Sequence, residues 1–593
     1  MDAFIEFGER RFKLFTNIVF YLAILIISGQ IIETGFTSEQ LQLFNRLYKP
    51  LNLAFSFLAA GMSFYLYLTS KNLYIKAGRL LFFLMSVLYL IIATLWILNL
   101  YNHIIDVEGV RLFFGVFIGF MAISFKIASI GNSSIHPSLL FVLSFVFLIL
   151  FGTFCLMLPA AAYTNVTFIQ ALFTSTSAVT VTGLAVLDTG KDFTLFGQTI
   201  IMILLQLGGL GILTVTNVFA LVFKSSSTFK NRMMVSDMIK ELDNKNTFST
   251  LFKIIFITIM VELVGAILIY FSVVNNPEVT ENPSFFALFH AVSAFCNGGF
   301  STLTNSLYEE TVRYNYFLQL TICWLIITGG LGYSVMINHY LLLKNKVKNK
   351  LTILKVAPVN TKADFARTST NTRIILVTTS ILLLIGTILF FMAEYNGTLK
   401  EHSIFGKLVV SFFNSVTPRT AGFNNINMAE MGIPAFMLTM ALMWIGASPG
   451  STGGGIKTTT FAVALLNLWN QIKGKERLII NFKEIPNVAI NQVNAVILLS
   501  IFAISFSTFL LSFFNPRMLF KDLLFECISA YSTVGLSVGI TPGLGQWSHI
   551  VLIILMFLGR VSFLTFLIGI FSRLFGEEPG CEPYYPKENV IIN

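Results

Sequence analysis

The chain has 593 residues, of which 55% are hydrophobic and 11% charged, and its formal net charge is +10. Because an ordinary soluble domain has roughly 25% charged residues, this composition argues against a water-soluble fold. The basic residues are concentrated in the links between apolar runs, where membrane topology explains them, so nucleic-acid binding is not expected. The five cysteines have neither metal-ligand nor disulfide spacing, which argues against redox chemistry.

Long apolar runs between residues 14 and 571 predict about twelve membrane spans, each close to the roughly 20 residues that cross a bilayer as a helix. The first four spans lie in an N-terminal region, residues 1–135, near 15–33, 51–69, 79–100 and 111–130, and carry no pore-like signal. From residue 136 a different unit occurs four times. It consists of a long span, a polar link, a shorter apolar stretch that ends in a glycine-containing turn, and a second long span.

The predicted fold is therefore an all-α membrane protein, with four pseudo-repeated membrane-pore-membrane units around one pore and four additional N-terminal helices. We expect the repeats at residues 136–248, 249–371, 372–487 and 488–576, followed by a tail at 577–593. The four turns are Thr180, Val181, Thr182 and Gly183; Cys296, Asn297, Gly298 and Gly299; Arg419, Thr420, Ala421 and Gly422; and Ser532, Thr533, Val534 and Gly535. Six residues before the last glycine stand Ser177, Ser293, Val416 and Ser529, so other positions are also in register.

Non-helical backbone in a bilayer is tolerated only where it is buried in protein or lines a water-filled path. Four such turns predict one shared path, in which each short helix enters the membrane and returns through its turn. Carbonyl oxygens at Gly183, Gly299, Gly422 and Gly535 can then replace the water around a partly dehydrated cation, which we expect to be K⁺. The alternative is that the glycines only permit close helix packing, and four turns in register make that alternative weaker.

A second glycine-rich segment follows the third turn. It contains Gly446, Ser448, Pro449, Gly450, Ser451, Thr452, Gly453, Gly454 and Gly455. Because each interior glycine costs a helix about 1 kcal/mol and proline about 3 kcal/mol relative to alanine, this span must be broken, and we expect it to gate the path below the turns. Arg560, the one charge in the last span, is expected to hold it shut. The alternatives are a kink that only packs and an arginine that extends to the membrane surface.

Charge indicates the orientation. The links at residues 224–249, 344–373 and 473–484 hold 5, 8 and 4 basic residues. By the positive-inside rule these links are cytoplasmic, so the turns open outwards and the N-terminus lies in the cytoplasm. The link at 344–373 is also a candidate docking surface for an acidic or nucleotide-binding partner, although attraction to anionic membrane lipid explains its charge nearly as well.

At these residues the chain resembles the Trk/Ktr/HKT superfamily of potassium transporters. The matching segments are residues 174–184 (TSTSAVTVTGL), 206–214 (QLGGLGILT), 414–424 (NSVTPRTAGFN), 450–459 (GSTGGGIKTT) and 557–560 (FLGR). The resemblance implies a channel-like potassium uptake subunit of the cell (inner) membrane, with the four glycine turns as selectivity filter and residues 446–455 as gating loop. It also implies homodimers on a cytosolic regulatory ring similar to TrkA or KtrA, with any nucleotide bound by that partner and no cofactor in this chain.

Glycine at all four filter positions resembles the potassium-selective members of the superfamily. Two alternatives stay open: a sodium-permeable or sodium-coupled member of the same architecture, and a non-conducting membrane receptor or scaffold. The first 135 residues differ from the superfamily pattern, since typical Ktr subunits lack these four spans. An enzyme is not expected, because no nucleophile, base and orienting group can be assembled, and the histidines form no metal cluster. Glu526, in the fourth short helix, is expected to hold the local backbone.

Overall fold

The structure is a computed structural model. In chain order, it describes residues 2–36, 42–68, 73–98, 110–112, 114–119, 121–122 and 137–211. It then describes residues 247–339 without 334, 370–480 without 476, and 483–567 without 565. Most of the predicted cytoplasmic links at 224–249 and 344–373, and the predicted tail at 577–593, lie outside the described residues.

Three long helices form the N-terminal region: α1 (Asp2–Gly35), α2 (Gln42–Leu68) and α3 (Leu73–Ile97), with a further apolar helix at Val110–Gly119. They share a separate apolar core. Buried Arg111 joins this last helix to α1 through a 2.7 Å ion pair with Glu33. The end of α1 contacts the first repeat, where the N–H of Ala160 donates to the carbonyl of Gly35 at 3.0 Å.

The repeats have the predicted order of a long helix, a short helix, a turn and a second helix. The helices are α4 (Pro137–Leu156), α5 (Phe168–Val179) and α6 (Leu195–Leu210); α7 (Thr247–Val273), α8 (Pro283–Cys296) and α9 (Tyr316–Leu331); α10 (Thr370–Glu394), α11 (Ile404–Val416), α12 (Ile433–Trp444) and α13 (Thr458–Ile472); and α14 (Asn487–Phe514), α15 (Phe520–Ser532) and α16 (Gln546–Val561). Between α13 and α14, the strands β1 (Ile479–Ile480) and β2 (Lys483–Glu484) pair antiparallel. Short 3₁₀ helices lie at Ser306–Tyr308, Met428–Glu430 and Thr541–Gly543.

Within the described part of the chain, six helices are long and apolar enough to cross a membrane without interruption: α1, α2, α3, α7, α10 and α14. The second helix of each repeat is shorter because its backbone breaks. The residue that ends α6, α9 and α16 has a positive φ, 78° at Gly211, 88° at Gly332 and 70° at Ser562. In the third repeat the break is a whole loop between α12 and α13. The second helix therefore ends at a residue with positive φ in three repeats, and in the third repeat it is interrupted by a whole loop.

The repeats close into a ring. The second helix of each repeat packs on the short helix of the next, so that α6 contacts α8, α9 contacts α11, and α12 contacts α15. The last second helix, α16, packs back on α5 of the first repeat. Glycines also let the second helix approach the short helix of its own repeat: a Cβ atom on Gly208, Gly329 or Gly559 would collide with the last or next-to-last carbonyl of that short helix. Each short helix is therefore packed between the second helix of its own repeat and that of the preceding repeat.

Candidate ion pathway

Each short helix ends in a turn with the same unusual backbone. The residue two positions before the last glycine has a positive φ in every repeat: 59° at Val181, 61° at Asn297, 71° at Thr420 and 51° at Thr533. A β-branched side chain rarely adopts this conformation, yet three of the four residues are β-branched. Strained backbone of this kind persists only where the surroundings impose it. Four identical departures therefore indicate one geometric requirement shared by all turns.

The last glycines of the turns surround a common axis. Their φ angles are 90°, 66°, 80° and 92° at Gly183, Gly299, Gly422 and Gly535. A Cβ atom on any of them would meet the carbonyl oxygen of the residue before the glycine of the next repeat. The neighbours are Gly298 for Gly183 (2.5 Å), Ala421 for Gly299 (2.8 Å), Val534 for Gly422 and Thr182 for Gly535, the last two closer still. Since the fourth repeat contacts the first, the ring is closed and no side chain fits inside it.

Hydroxyl groups at the ends of the short helices hold the turns in place. The hydroxyls of Ser177 and Ser529 accept the N–H of Gly183 (3.0 Å) and Gly535 (3.1 Å). In the second repeat Ser293 donates to the carbonyl of Phe300 at 2.8 Å. The third repeat has Val416 at this position, and Thr417, one residue later, donates to the carbonyl of Phe423 at 2.6 Å. The serine register seen in the sequence thus corresponds to an anchor for each turn.

Two predicted filter residues direct their side chains away from the ring. Arg419 is buried, and its guanidinium donates to the hydroxyl of Thr379 on α10 at 3.3 Å. The thiol of Cys296 lies 3.5 Å from the side-chain oxygen of Gln206 on α6. These two residues can therefore contribute only their backbone to the ring. By contrast, the side chains of Asn297 and Thr420 meet each other at 3.2 Å, across the boundary of the second and third repeats.

A cavity of about 310 Å³ lies on one side of the ring. All four glycines line its base, and its walls are formed by the segments that follow the turns, including residues 185–189, 300–301, 303–306 and 536–537. It is open to solvent and offers both carbonyl and hydroxyl oxygens. A hydrated cation can therefore reach the glycine ring from this side.

The glycine-rich loop of the third repeat lies on the other side of the ring. Gly453 and Gly454 are packed directly under the hydroxyls of Thr420 and Thr533, which a Cβ atom at either glycine would meet. Because Thr420 and Thr533 precede the ring glycines in their turns, the loop and the cavity are on opposite sides. The loop thus covers the path immediately below the ring.

Backbone contacts hold this loop against the second repeat. The N–H of Ser448 donates to the carbonyl of Gly330 at 3.1 Å, and the N–H of Tyr333 donates to the carbonyl of Gly450 at 3.0 Å. The hydroxyl of Thr452 donates to the carbonyl of Phe295, at the end of α8, at 3.2 Å. The loop is therefore tied both to the broken end of α9 and to the helix that carries the second turn.

Two cationic side chains bind the loop carbonyls. The guanidinium of Arg560 donates to the carbonyl of Thr452 and also to that of Gly208 at 2.6 Å, at the end of α6. One guanidinium thus connects the first, third and fourth repeats. The ammonium of Lys457 donates to the carbonyls of Gly453 (2.7 Å) and Gly454 (3.2 Å). The predicted contact between Arg560 and the loop is present, and the contact made by Lys457 was not predicted.

Comparison with known proteins agrees with this architecture. Residues 133–574 match the TrkH family, described as cation transport protein. The chain belongs to the TrkH family. The superfamily resemblance read from the glycine turns and the loop motif is therefore confirmed, and the chain is a multi-pass membrane protein of a cation transporter family.

Several relatives of this TrkH-family chain are bacterial. The Ktr system potassium uptake protein B of Bacillus subtilis is 35% identical over 73% of this chain and 92% of its own length. The potassium/sodium uptake protein NtpJ of Enterococcus hirae is 33% identical over 77% of this chain and 97% of its own. The crystal structure of the potassium transporter TrkH from Vibrio parahaemolyticus matches with a TM-score of 0.59 at 17% identity, covering 85% of this chain and all of that one. This last likeness shows the fold.

Glu262 is a second carboxylate inside the membrane, in addition to Glu526, and the sequence analysis did not predict a role for it. Glu262 lies in the middle of α7, is buried, and accepts a hydrogen bond from the side chain of Gln206 at 3.3 Å. A single charge within an otherwise apolar span was the available signal. In the TrkH-family fold this pair joins α7 to α6 behind the second turn, where Cys296 also packs.

Glu526 itself is fully buried and holds the segment after the fourth turn. One carboxylate oxygen accepts the hydroxyl of Ser537, and the other accepts that of Thr541 at 2.9 Å. This arrangement agrees with the expected holding of local structure. Among the described residues, no group of three or more His, Cys, Asp and Glu side chains is arranged to bind a metal ion.

Proposed function

We propose that this chain conducts K⁺ across the cell membrane through the ring at Gly183, Gly299, Gly422 and Gly535. The observation that carries the proposal is the closed ring itself, in which each glycine faces a carbonyl of the next repeat. Carbonyl dipoles arranged in this way substitute for the water around a cation, and the absence of a Cβ keeps the path open. The names of the relatives, potassium uptake protein B among them, support K⁺ as the transported ion.

Sodium permeation or sodium coupling is the second candidate. It is supported by the relative from Enterococcus hirae, which is named a potassium/sodium uptake protein. The four glycines favour K⁺ over this alternative, since all four turns supply backbone oxygens and no turn inserts a side chain. A non-conducting receptor or scaffold is disfavoured, because strained backbone in four equal turns has no evident use without an ion path.

The loop at residues 446–455 acts as the gate, and the side chains of Arg560 and Lys457 hold it in the closed position. The loop occupies the path below the ring, and its irregular backbone is held by only a few hydrogen bonds to α8 and α9. Two positive charges beside the loop add an electrostatic barrier to cations. Opening requires the carbonyls of Thr452, Gly453 and Gly454 to leave these two side chains.

The regulatory assembly is a homodimer of this subunit on a cytosolic ring that binds the nucleotide. In this arrangement the N-terminus and the basic links are cytoplasmic, the cavity faces outwards, and residues 344–373 contribute to docking. Their eight basic residues support this role. The N-terminal region, residues 1–135, packs on the outer end of the first repeat through Gly35 and remains without a proposed role in conduction.

One experiment tests the proposed function directly. The full-length chain is expressed in a bacterium that lacks its own potassium uptake systems, with and without a cytosolic regulatory subunit, and growth and ⁸⁶Rb⁺ uptake are measured on limiting K⁺. We expect uptake that K⁺ inhibits more strongly than Na⁺. Equal inhibition by the two ions identifies the sodium-permeable alternative. A well-expressed protein that supports no uptake in either condition overturns the proposal.

A further inference from the structure

The cavity above the glycine ring has one chemically distinct position in its wall. Among the described residues that line it, Asp188 is the one with a charged side chain. The remaining lining groups are glycines, apolar side chains and neutral polar residues such as Ser301, Asn305 and Asn424. Asp188 follows the turn at Gly183 by only a few positions. A cation that approaches the ring therefore encounters a single full negative charge close to the entrance.

A tight turn fixes the position of this carboxylate. Oδ1 of Asp188 accepts the backbone N–H groups of Gly190 (2.8 Å) and Lys191 (3.2 Å). The N–H of Asp188 itself donates to Oδ2 of Asp192 at 2.7 Å. Gly190 is packed against the carbonyl of Thr302, so the turn is also fixed against the second repeat. Oδ2 of Asp188 has no hydrogen bond to any described residue, which leaves one carboxylate oxygen for an ion.

We infer that Asp188 concentrates monovalent cations at the mouth of the pore and so sets the apparent affinity of uptake. The inference rests on the proposed conduction through the ring. A charge in a concave site surrounded by low-dielectric protein raises the local concentration of oppositely charged ions. Asp188 acts on the hydrated ion, before the ion loses its water at the glycines. It is therefore a positioning residue, and it does not coordinate the dehydrated ion.

Such a role affects affinity without affecting selectivity. The carboxylate attracts K⁺, Rb⁺ and Na⁺ equally, since it acts on their charge while they are hydrated. Loss of the charge should raise KM and leave the maximal rate and the ion preference unchanged. Added salt should reduce the effect, because the Debye length falls from about 30 Å at 0.01 M to about 8 Å at 0.15 M. A purely structural contribution of the turn would not depend on ionic strength in this way.

The test measures initial ⁸⁶Rb⁺ uptake in the potassium-uptake-deficient bacterium with the full-length chain and its regulatory subunit. Asp188→Asn keeps an oxygen that accepts both N–H groups and removes the charge. At about 0.01 M ionic strength we expect its KM to be about threefold to tenfold above that of the wild type, with the same maximal rate. At about 0.15 M the two KM values should converge. Asp188→Glu, which restores the charge, should return KM towards the wild-type value.

Asp192→Asn is the matched control. It removes a carboxylate from the same turn, its amide oxygen still accepts the N–H of Asp188, and it does not line the cavity. Because this carboxylate lies outside the cavity, its KM should rise clearly less than that of Asp188→Asn. The inference is overturned if Asp188→Asn has the wild-type KM, if its effect does not shrink with salt, if Asp188→Glu fails to restore affinity, or if Asp192→Asn has an equal effect. If the wild type itself shows no uptake, the proposed function is wrong, and the inference about Asp188 is wrong as well.

Discussion

The four glycine turns and the loop at residues 446–455 both place irregular, glycine-rich backbone inside the membrane, but they are supported differently. Each turn is fixed by a hydroxyl at the end of a short helix, and the four turns support one another around a closed ring. The loop occurs once, lies directly below the ring, and is held by a few hydrogen bonds and two cationic side chains. Repetition gives the turns mutual support, whereas the loop depends on these individual contacts.

The glycines of the two regions show the same difference. A Cβ atom in the ring would meet backbone carbonyl oxygens, which cannot move without shifting a neighbouring turn. A Cβ atom at Gly453 or Gly454 would meet the hydroxyls of Thr420 and Thr533, which are ends of side chains. Ring glycines are therefore required by the backbone itself, while Gly453 and Gly454 are required by how closely the loop packs under the ring.

The largest effect is expected for a ring glycine. Gly535→Ala places a methyl group against the carbonyl of Thr182 and forces alanine into a φ of 92°. We expect loss of ⁸⁶Rb⁺ uptake to background and a clear fall in the melting temperature of the purified protein. Gly299→Ala, with a distance of 2.8 Å and a φ of 66°, should retain more of both. An order in which Gly299→Ala is the more damaging would contradict the ring geometry.

Gly539→Ala is the control for this comparison. Gly539 has a φ of 89°, close to that of Gly535, but a Cβ atom there would meet nothing within 4 Å. Its substitution therefore reports only the cost of the left-handed backbone, on the order of 1–2 kcal/mol. We expect a modest fall in stability and near-normal uptake. Equal loss of uptake in both variants would mean that backbone strain, and not closure of the ring, explains the effect at Gly535.

The next effect is expected at the proposed gate, the loop at residues 446–455. Arg560→Ala removes the guanidinium that joins the carbonyls of Thr452 and Gly208. Uptake without the regulatory subunit should rise several-fold, because the loop loses the hydrogen bond from Arg560 and the path loses a positive charge. The preference for K⁺ over Na⁺ should stay nearly unchanged, since Arg560 donates its hydrogen bonds to carbonyls outside the ring, at Thr452, Gly208 and Gly209. A folded variant with unchanged or lower regulator-free uptake would show that the loop is structural.

Much of this architecture was predictable from the sequence, because repetition placed equivalent residues in register. The four glycines, the serines before them and the break at residues 446–455 were all visible as patterns, and each has a counterpart in the structure. The contact between Arg560 and the loop was predictable as well, since a charge in an apolar span needs a partner. The roles of these residues in selectivity and gating remain predictions.

Other features depend on spatial neighbours that no pattern along the chain reveals. The positive φ at Val181 and Thr533 contradicts the usual preference of β-branched residues, so local propensity indicated the wrong backbone. Arg419 belongs to the third turn in sequence, but its side chain points to Thr379 on α10. The contact of the fourth repeat with the first, which places Gly535 beside Thr182, also could not be predicted from the sequence.

A smaller effect is expected at Gly454, where the loop meets the ring. In Gly454→Ala the methyl group would press on the hydroxyl of Thr533, and that side chain can rotate. We expect a melting temperature close to that of the wild type and about a twofold rise in regulator-free uptake, since the loop no longer packs fully. If this variant unfolds as readily as Gly535→Ala, the distinction between the two kinds of glycine is lost.

The smallest effect concerns the support of the third turn from the solvent side. His402 lies in the loop between α10 and α11, is buried, and hydrogen bonds through Nδ1 to the hydroxyl of Tyr316 on α9 at 3.1 Å. Burial, and then the positive charge of Arg313, lower the pKa of His402 below its usual value, while Glu401 opposes this shift. The folded protein therefore favours the neutral ring.

Acid should consequently weaken this support, and only on the filter side of the molecule. As the pH falls below about 6.5, the unfolded chain takes up a proton at His402 before the folded protein does, so stability decreases until the lowered pKa is reached. Between pH 7.5 and 5.5 we expect the melting temperature to fall by about 1–2 °C more in the wild type than in His402→Gln, which stays neutral and still bonds to Tyr316. The same difference should persist in the Arg560→Ala background, because the gate lies on the other side of the ring. If it disappears there, the acid sensitivity belongs to the gate and the two regions are not independent.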